Sequence, residues 1–477
     1  MENKQLCTVN NERFREKYHV MAKGGWLNDP NGFCFFKGNY HIFYQYHPYS
    51  SDWGPMHWGH AISKDLVHWE TLPIALYPGN EFDKDGCFSG SAIVKENQLY
   101  LIYTGHNYYD ENNPENFWQT QNIAVSKDGI HFEKYPGNPV IATPPDDNSI
   151  HFRDPKVWQE NDQYYMIVGS QNKEEVGRAL LYQSIDLIHW SIKGEISKAI
   201  SSHSEGFMWE CPDFFKLNDQ YVLISSPQGI ESKTEKYLNL FQTGYFIGEM
   251  DYENTNFSRN EFLELDYGHD FYAAQTMLAP DGRRILIGWM SMWESEMKEK
   301  EDGWAGALTI ARELILTADK KLRMCPVAEM KKLRHKQVLK KQLTLSACYV
   351  VNDLKPQQEI NVTVDLVSYC GKEVAFLLLN QQQETVLKLS YSRNEEKLTM
   401  FRPGKDCYRY AHLPKANQLS LTLYLDTSSA EWFINDGSKV FTERFYEEST
   451  LRFAINTDSI VTTSLEVYNL DTDVIRY

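Results

Sequence analysis

Five short apolar runs recur along the first two thirds of the chain, each entered through a polar turn. They read NYHIFYQ from Asn39, QLYLIYT from Gln98, QYYMIVG from Gln163, QYVLISS from Gln220 and RRILIGW from Arg283. The turns leading into them are FKGN, KENQ, QEND, KLND and PDGR. Runs rich in aromatic and β-branched residues, bounded by Gly, Asn and Asp, predict buried strands. Successive starts lie 59, 65, 57 and 63 residues apart. A second motif keeps the same period: SKDLVHW from Ser63, SKDGIHF from Ser126, SIDLIHW from Ser184 and, more loosely, EMDYENTNF from Glu249. Its aspartates Asp65, Asp128, Asp186 and Asp251 are 63, 58 and 65 residues apart. Two independent motifs sharing one long period predict β-propeller blades, each a small antiparallel sheet around a central channel. Five copies predict five blades within residues 1–325.

Beyond that point the pattern changes. Alternating stretches follow at short spacing: EINVTVDLVSY, EVAFLLLN, TVLKLSYS, LSLTLYLD, AEWFIND, TLRFAIN and TTSLEVYNL. They predict a β-sandwich over residues 343–477. Residues 326–342 are rich in Lys and Arg and contain AEMKKLRH, which predicts a short helical linker. The expected class is therefore all-β, a five-bladed β-propeller followed by a C-terminal β-sandwich.

Composition narrows the functional classes. Among 477 residues there are 29 Tyr, 24 Phe and 12 Trp, an aromatic wealth that suits sheets and also suits stacking on sugar faces. The net charge of −17 argues against nucleic acid and against anionic membrane surfaces as partners. No stretch of about 18 apolar residues predicts a transmembrane helix, and the N-terminal residues lack the apolar core of a signal peptide. The eight cysteines, Cys7, Cys34, Cys87, Cys211, Cys325, Cys348, Cys370 and Cys407, form no C-x-x-C pair. Reduced thiols and a cytoplasmic location are expected. His19, His57, His60 and His106 form no ligand cluster, so neither a metal nor a cofactor is expected. Monomer and homo-oligomer both remain open.

The positions ten residues before the five apolar runs are Asp29, Phe88, Arg153, Glu210 and Ala273, with Asp154 next to Arg153. In a propeller the innermost strands start at the channel mouth, so equivalent positions of different blades converge on its axis. Asp29, Asp154 and Glu210 would then face one pocket. Their settings are alike: NDPNG, FRDPKV and WECPDF. A single acidic turn with Pro is ordinarily structural. Three in register are different, because gathered like charges are costly unless paired or used. Two carboxyl groups flanking a bond are the working parts of glycoside hydrolysis, one protonated and one ionised. A third can hold sugar hydroxyls. The residues alone do not decide which carboxylate does what.

WLNDPNG (26–32), FSGSA (88–92), FRDP (152–155) and WECPD (209–213) resemble the defining motifs of glycoside hydrolase family 32. FYQYHP (43–48), HWGHAISKDLVHW (57–69), DFYAAQT (270–276), IGWM (287–290) and SSAEWFINDGSKVFTERFY (428–446) are similar to that family as well, so the resemblance spans essentially the whole chain. It implies a five-bladed propeller plus sandwich, in an intracellular member of bacterial type. It further implies Asp29 as nucleophile, Glu210 as general acid/base and Asp154 as transition-state stabiliser. By the same resemblance Asn28, Gln45, Trp53, Phe88, Ser89, Arg153, Asp270, Tyr272 and Trp289 line the sugar pocket. The stretch YHVMAKGG before the first motif departs from the family's commoner Y-H-F-x-P form and leaves contacts near Met21–Gly25 unassigned. The implied reaction is retaining hydrolysis of a β-fructofuranosyl bond in sucrose, sucrose 6-phosphate or short fructooligosaccharides, with a small-molecule sugar as substrate. Three alternatives stay open: a fructosyltransferase or fructan exo-hydrolase on the same scaffold, an inverting glycosidase on another furanose, and a non-catalytic sugar-binding propeller.

Overall fold

A computed structural model describes residues 5–110, 112–352 and 354–477. Among these residues, five mainly antiparallel sheets follow one another in chain order between residues 25 and 326, the first joined in parallel by Trp304–Ala305 and by Ile475–Arg476. Their first strands are Gly25–Phe36, Gly86–Lys95, Asn148–Glu160, Met208–Leu217 and Tyr272–Leu278. Each first strand touches that of the next sheet, and the fifth touches the first, so the five close a ring.

The five apolar runs form the second strands, Asn39–His47, Gln98–Tyr108, Gln163–Asn172, Gln220–Gln228 and Arg284–Trp289. They read as continuous runs because both faces are covered. Adjacent residues such as Ile42 and Phe43, Leu101 and Ile102, Ile167 and Val168, or Leu223 and Ile224 are all fully buried. The second repeated motif joins the third strand to the fourth. In three copies its aspartate caps the turn: Asp65 accepts from the backbone N–H of His68 at 3.0 Å, Asp128 from His131 at 2.9 Å and Asp186 from His189 at 2.8 Å. The next residue takes a left-handed conformation in each, with φ of 68° at Leu66, 82° at Gly129 and 74° at Leu187. Glycine suits that conformation. The two leucines are held in it by burial of their side chains.

Residues 334–470 build two six-stranded sheets packed face to face around Leu, Ile, Val, Phe and Trp432. The segment expected as a helical linker is a 3-10 turn only over Ala328–Leu333. Arg334–Leu345 is already a strand, paired along its length with Val461–Leu470. Arg334, Lys336, Lys340 and Lys341 lie on this largely exposed edge strand, and they produce the basic composition without a helix. Among the described residues no helix is long and apolar enough to cross a membrane.

The ring and the sandwich meet through buried ions. Arg312 is fully buried; it donates to Asp266 at 2.8 Å, to Glu431 at 2.5 and 3.1 Å, and to Thr442 at 2.6 Å. His19 lies between Asp426 and Glu431, 2.9 Å from each. Burial opposes its protonation, but the two carboxylates outweigh it and push its pKa to about 10. The chain ends tie the halves further. The backbone N–H groups of Lys17 and Tyr18 donate to Asp426, and Ile475–Arg476 pairs in parallel with Trp69–Glu70. Arg312→Leu should therefore cost about 3–5 kcal/mol in guanidinium unfolding, because Asp266 and Glu431 are left buried and uncompensated. A loss below about 1 kcal/mol would mean that the junction does not depend on this ion network.

Candidate active site

Each first strand is interrupted where it faces the centre of the ring. Pairing with the second strand skips residues between Leu27 and Pro30, Phe88 and Gly90, Arg153 and Lys156, Glu210 and Asp213, and Tyr272 and Gln275. A bulge of this kind turns a side chain out of the pleat and re-aims it. Asp154, Cys211 and Ala273 take positive φ of 65°, 47° and 51° in these bulges. The five bulges sit at the positions found by counting back from the apolar runs. Three of them bring Asp29, Asp154 and Glu210 to one place. At the fifth position Ala273 supplies no polar group, and its neighbour Tyr272 does.

The three carboxylates are fixed by different partners. Asp29 accepts from Asn28 Nδ2 at 2.9 Å and from Ser89 Oγ at 2.7 Å. Asn28 is oriented in turn by Trp26 Nε1, which donates to its carbonyl oxygen at 2.7 Å. Asp154 accepts the backbone N–H of Cys211 at 2.9 Å, and its own N–H donates to Thr104 Oγ1 at 2.9 Å. The Cys211 thiol lies 3.7 Å from both Asp29 Oδ2 and Asp154 Oδ2, so one side chain spans the two. Glu210 is held most firmly. Arg153 Nε and Nη2 donate to Oε1 at 3.1 and 2.8 Å, while Tyr272 OH and Gln228 Nε2 donate to Oε2 at 2.6 and 2.9 Å.

Electrostatics follow from this crowding. Burial, then the charge of Glu210, pushes the Asp29 carboxyl up to about 6 against the bonds from Ser89 and Asn28. Burial likewise lifts Asp154 to about 7, with Arg153 opposing and the charges of Glu210 and Asp29 reinforcing. A cluster holding an arginine, a phenol and carboxyls near neutrality can donate protons, accept them and attack an electrophilic carbon.

The remaining expected pocket residues divide. Trp53 is 41% exposed and stands edge-on to Phe88 with centroids 6.0 Å apart; Phe88 lies flat on His106 at 4.1 Å. Gln45 is buried and donates to the backbone carbonyl of Cys87 at 3.1 Å. Trp289 is fully buried, 5.9 Å from the ring of Trp26. Asp270 is not brought to the carboxylates by any bond. It is closed off at the sandwich, where it accepts from Arg402 and from the backbone N–H of Arg444 at 2.7 Å. Gln228 and the bridging Cys211 thiol were not singled out from the sequence. Gln228 ends an apolar strand with no local signal, and Cys211 reads as one scattered cysteine among eight.

Comparison with known proteins places this geometry. Residues 19–326 match the model of the glycosyl hydrolases family 32 N-terminal domain, and residues 328–469 match that of the glycosyl hydrolases family 32 C terminal. A sucrose-6-phosphate hydrolase of Escherichia coli is 43% identical over 440 residues, covering 91% of this chain and 90% of the relative. A raffinose invertase of Escherichia coli is 39% identical, covering 93% of each. A GH32 β-fructofuranosidase of Bombyx mori, solved as a mutant in complex with sucrose, superposes with a TM-score of 0.87 at 38% identity, covering 98% of this chain and 96% of that one.

The raised Asp29 carboxyl has a consequence for stability. Its pKa is higher folded (about 6) than unfolded (3.8), so the native state favours the protonated form. Its contribution is fully present below about pH 4 and is lost as pH rises through about 6. At pH 7 the ionised group costs roughly 1–3 kcal/mol. Asp29→Asn should recover that stability at pH 7 and little of it at pH 4, measured by guanidinium midpoints at the two pH values. An equal gain at both would place the cause elsewhere than in ionisation.

Proposed function

The chain belongs to glycosyl hydrolase family 32, and from that premise we propose that it is a retaining β-fructofuranosidase acting on sucrose or sucrose 6-phosphate. The relatives named for sucrose 6-phosphate and raffinose, and the neighbour that holds sucrose, support this substrate class. The five sheets are read as the five blades of a propeller, with residues 1–325 as the catalytic module, 326–342 as the connection and 343–477 as the sandwich. The strand from Arg334 belongs to the sandwich by its pairing with Val461–Leu470.

One observation carries the reading: three carboxylates from three separate sheets meet, and each is held by a different set of donors. In the proposed reaction an Asp29 oxygen attacks C2 of the fructosyl unit. The C2–O bond to the leaving sugar breaks as Glu210 gives its proton to the departing oxygen. Water, deprotonated by Glu210, then attacks C2; the ester bond to Asp29 breaks and fructose leaves with its configuration retained. Asp154 stabilises the positive charge that builds on the fructosyl ring and binds its hydroxyls. Arg153 and Tyr272 hold the Glu210 carboxyl in position. Asn28 and Ser89 orient Asp29. Trp53 and Phe88 offer apolar faces to the sugar, while Gln45 and Trp289 support the wall from behind. Asp270 acts at one remove, anchoring the strand of Tyr272 to the sandwich through Arg402 and Arg444.

Asp29→Ala and Glu210→Ala should each lower kcat for sucrose by a factor of at least about 10²–10⁴ while the protein remains folded. Retention of more than about a tenth of the rate in Asp29→Ala would rule out Asp29 as the nucleophile. Stereochemistry gives an independent check. NMR in the first turnovers should show β-fructofuranose before mutarotation. Initial α-anomer would instead indicate direct attack by water, with carboxyls spaced about 6.5–9.5 Å rather than about 5–5.5 Å apart.

A further inference from the structure

His151 lies two residues before Arg153 on the strand Asn148–Glu160, and the reaction described above gives it no part. Its ring is nonetheless tied to the site. Arg153 uses Nε and Nη2 on Glu210, and its Nη1 lies 2.8 Å from His151 Nδ1. A guanidinium donates and cannot accept, so Nδ1 must be the accepting, unprotonated nitrogen. The ring hydrogen is thereby placed on Nε2. Burial and the neighbouring Arg153 charge pull the imidazole pKa down to about 3, so the ring stays neutral across the pH range in which carboxyl catalysis operates. The result is a fixed neutral tautomer with one N–H donor.

That donor is open. His151 Nε2 makes no hydrogen bond among the described residues and is not sealed from solvent. Burial deepens along the strand from Ile150, 41% exposed, through the half-buried His151 to Phe152 at 0% and Asp154 at 6%. His151 is therefore nearer to solvent than Asp154, three residues on along the same strand. Its ring meets Phe117 edge-on at 5.4 Å; Phe117 packs on His106 at 5.0 Å, and His106 lies flat on Phe88. Phe88, His106, Phe117, His151 and Arg153 thus form one continuous wall, and His151 Nε2 is its free polar point toward solvent.

We infer that His151 is a substrate-binding residue whose Nε2–H donates to an oxygen of the leaving sugar, with Arg153 fixing the tautomer that makes this possible. This rests on the β-fructofuranosidase reading and adds a specificity determinant to it. A hydroxyl and a phosphate-ester oxygen share the accepting chemistry, and the choice of substrates separates them.

The test compares kcat/KM for sucrose, sucrose 6-phosphate and methyl β-D-fructofuranoside in the wild type, His151→Phe and His151→Gln. Hydrolysis of none of the three by the wild type would overturn the functional reading itself, before any variant is considered. Given wild-type activity, His151→Phe keeps a ring against Phe117 but removes the donor. It should lower kcat/KM about tenfold on at least one glucosyl substrate, the scale of one neutral hydrogen bond, and change methyl β-D-fructofuranoside by less than about twofold. A loss on sucrose identifies a hydroxyl as the acceptor, and a loss confined to sucrose 6-phosphate identifies a phosphate oxygen. His151→Gln, whose carbonyl can accept from Arg153 while its amide donates, should recover most of the rate. Equal losses on all three substrates would show that His151 acts only by holding Arg153 on Glu210, and the inference would be wrong. No loss on either glucosyl substrate would overturn it as well.

Discussion

Three carboxyl groups cannot be buried side by side without a reason and without support, and much of the ring answers that constraint. Burial and mutual repulsion lift Asp29 and Asp154 toward neutrality. The opposing terms are local and specific: a serine and an asparagine on Asp29, a backbone N–H on Asp154, and an arginine, a tyrosine and a glutamine on Glu210. These donors come from strands of all five sheets of the ring, so the charge cluster is tolerable only once the ring has closed. The bulge in each first strand is the backbone device that turns these side chains inward.

The same logic, with the opposite purpose, governs the junction between ring and sandwich. There too carboxylates are buried, but each faces a cation: Arg312 with Asp266 and Glu431, and His19 with Asp426 and Glu431. At the junction each of these carboxylates has a cation within hydrogen-bond distance and all are fully enclosed, which suits a fixed contact. In the centre of the ring only Glu210 of the three carboxylates is ion-paired among the described residues, to Arg153, which suits a site that must exchange protons. Asp270 connects the two regions. It lies two residues before the tyrosine that grips Glu210, yet its carboxylate is bound to Arg402 and Arg444 of the sandwich. The second module thereby helps to position the strand that carries Tyr272.

Much of this was legible along the chain because it is periodic and local. The continuous apolar runs announce strands covered on both faces, and their spacing places one sheet per repeat. The aspartate turns recur because one backbone geometry between the third and fourth strands recurs. Counting back ten residues finds Asp29, Arg153 with its neighbour Asp154, and Glu210, because equivalent positions of repeated units point at a common axis. The expected helical linker was not legible in the same way. Most of its basic residues lie on an exposed edge strand, and composition alone does not separate a charged edge from a charged helix.

What the sequence by itself determined is thus the all-β class, the repeat, the change of pattern near residue 326 and the positions of the carboxylates. The tertiary structure alone decided their partners. Arg153 and Glu210, Tyr272 and Glu210, and Cys211 and Asp29 are separated by 57, 62 and 182 residues. It also decided that Asp270 turns to the sandwich, and that Arg153 leaves His151 with a single exposed donor. Periodicity is carried by neighbours in the chain and survives as a pattern. Hydrogen bonds across such separations depend on closure of the ring and docking of the sandwich, which no local stretch encodes.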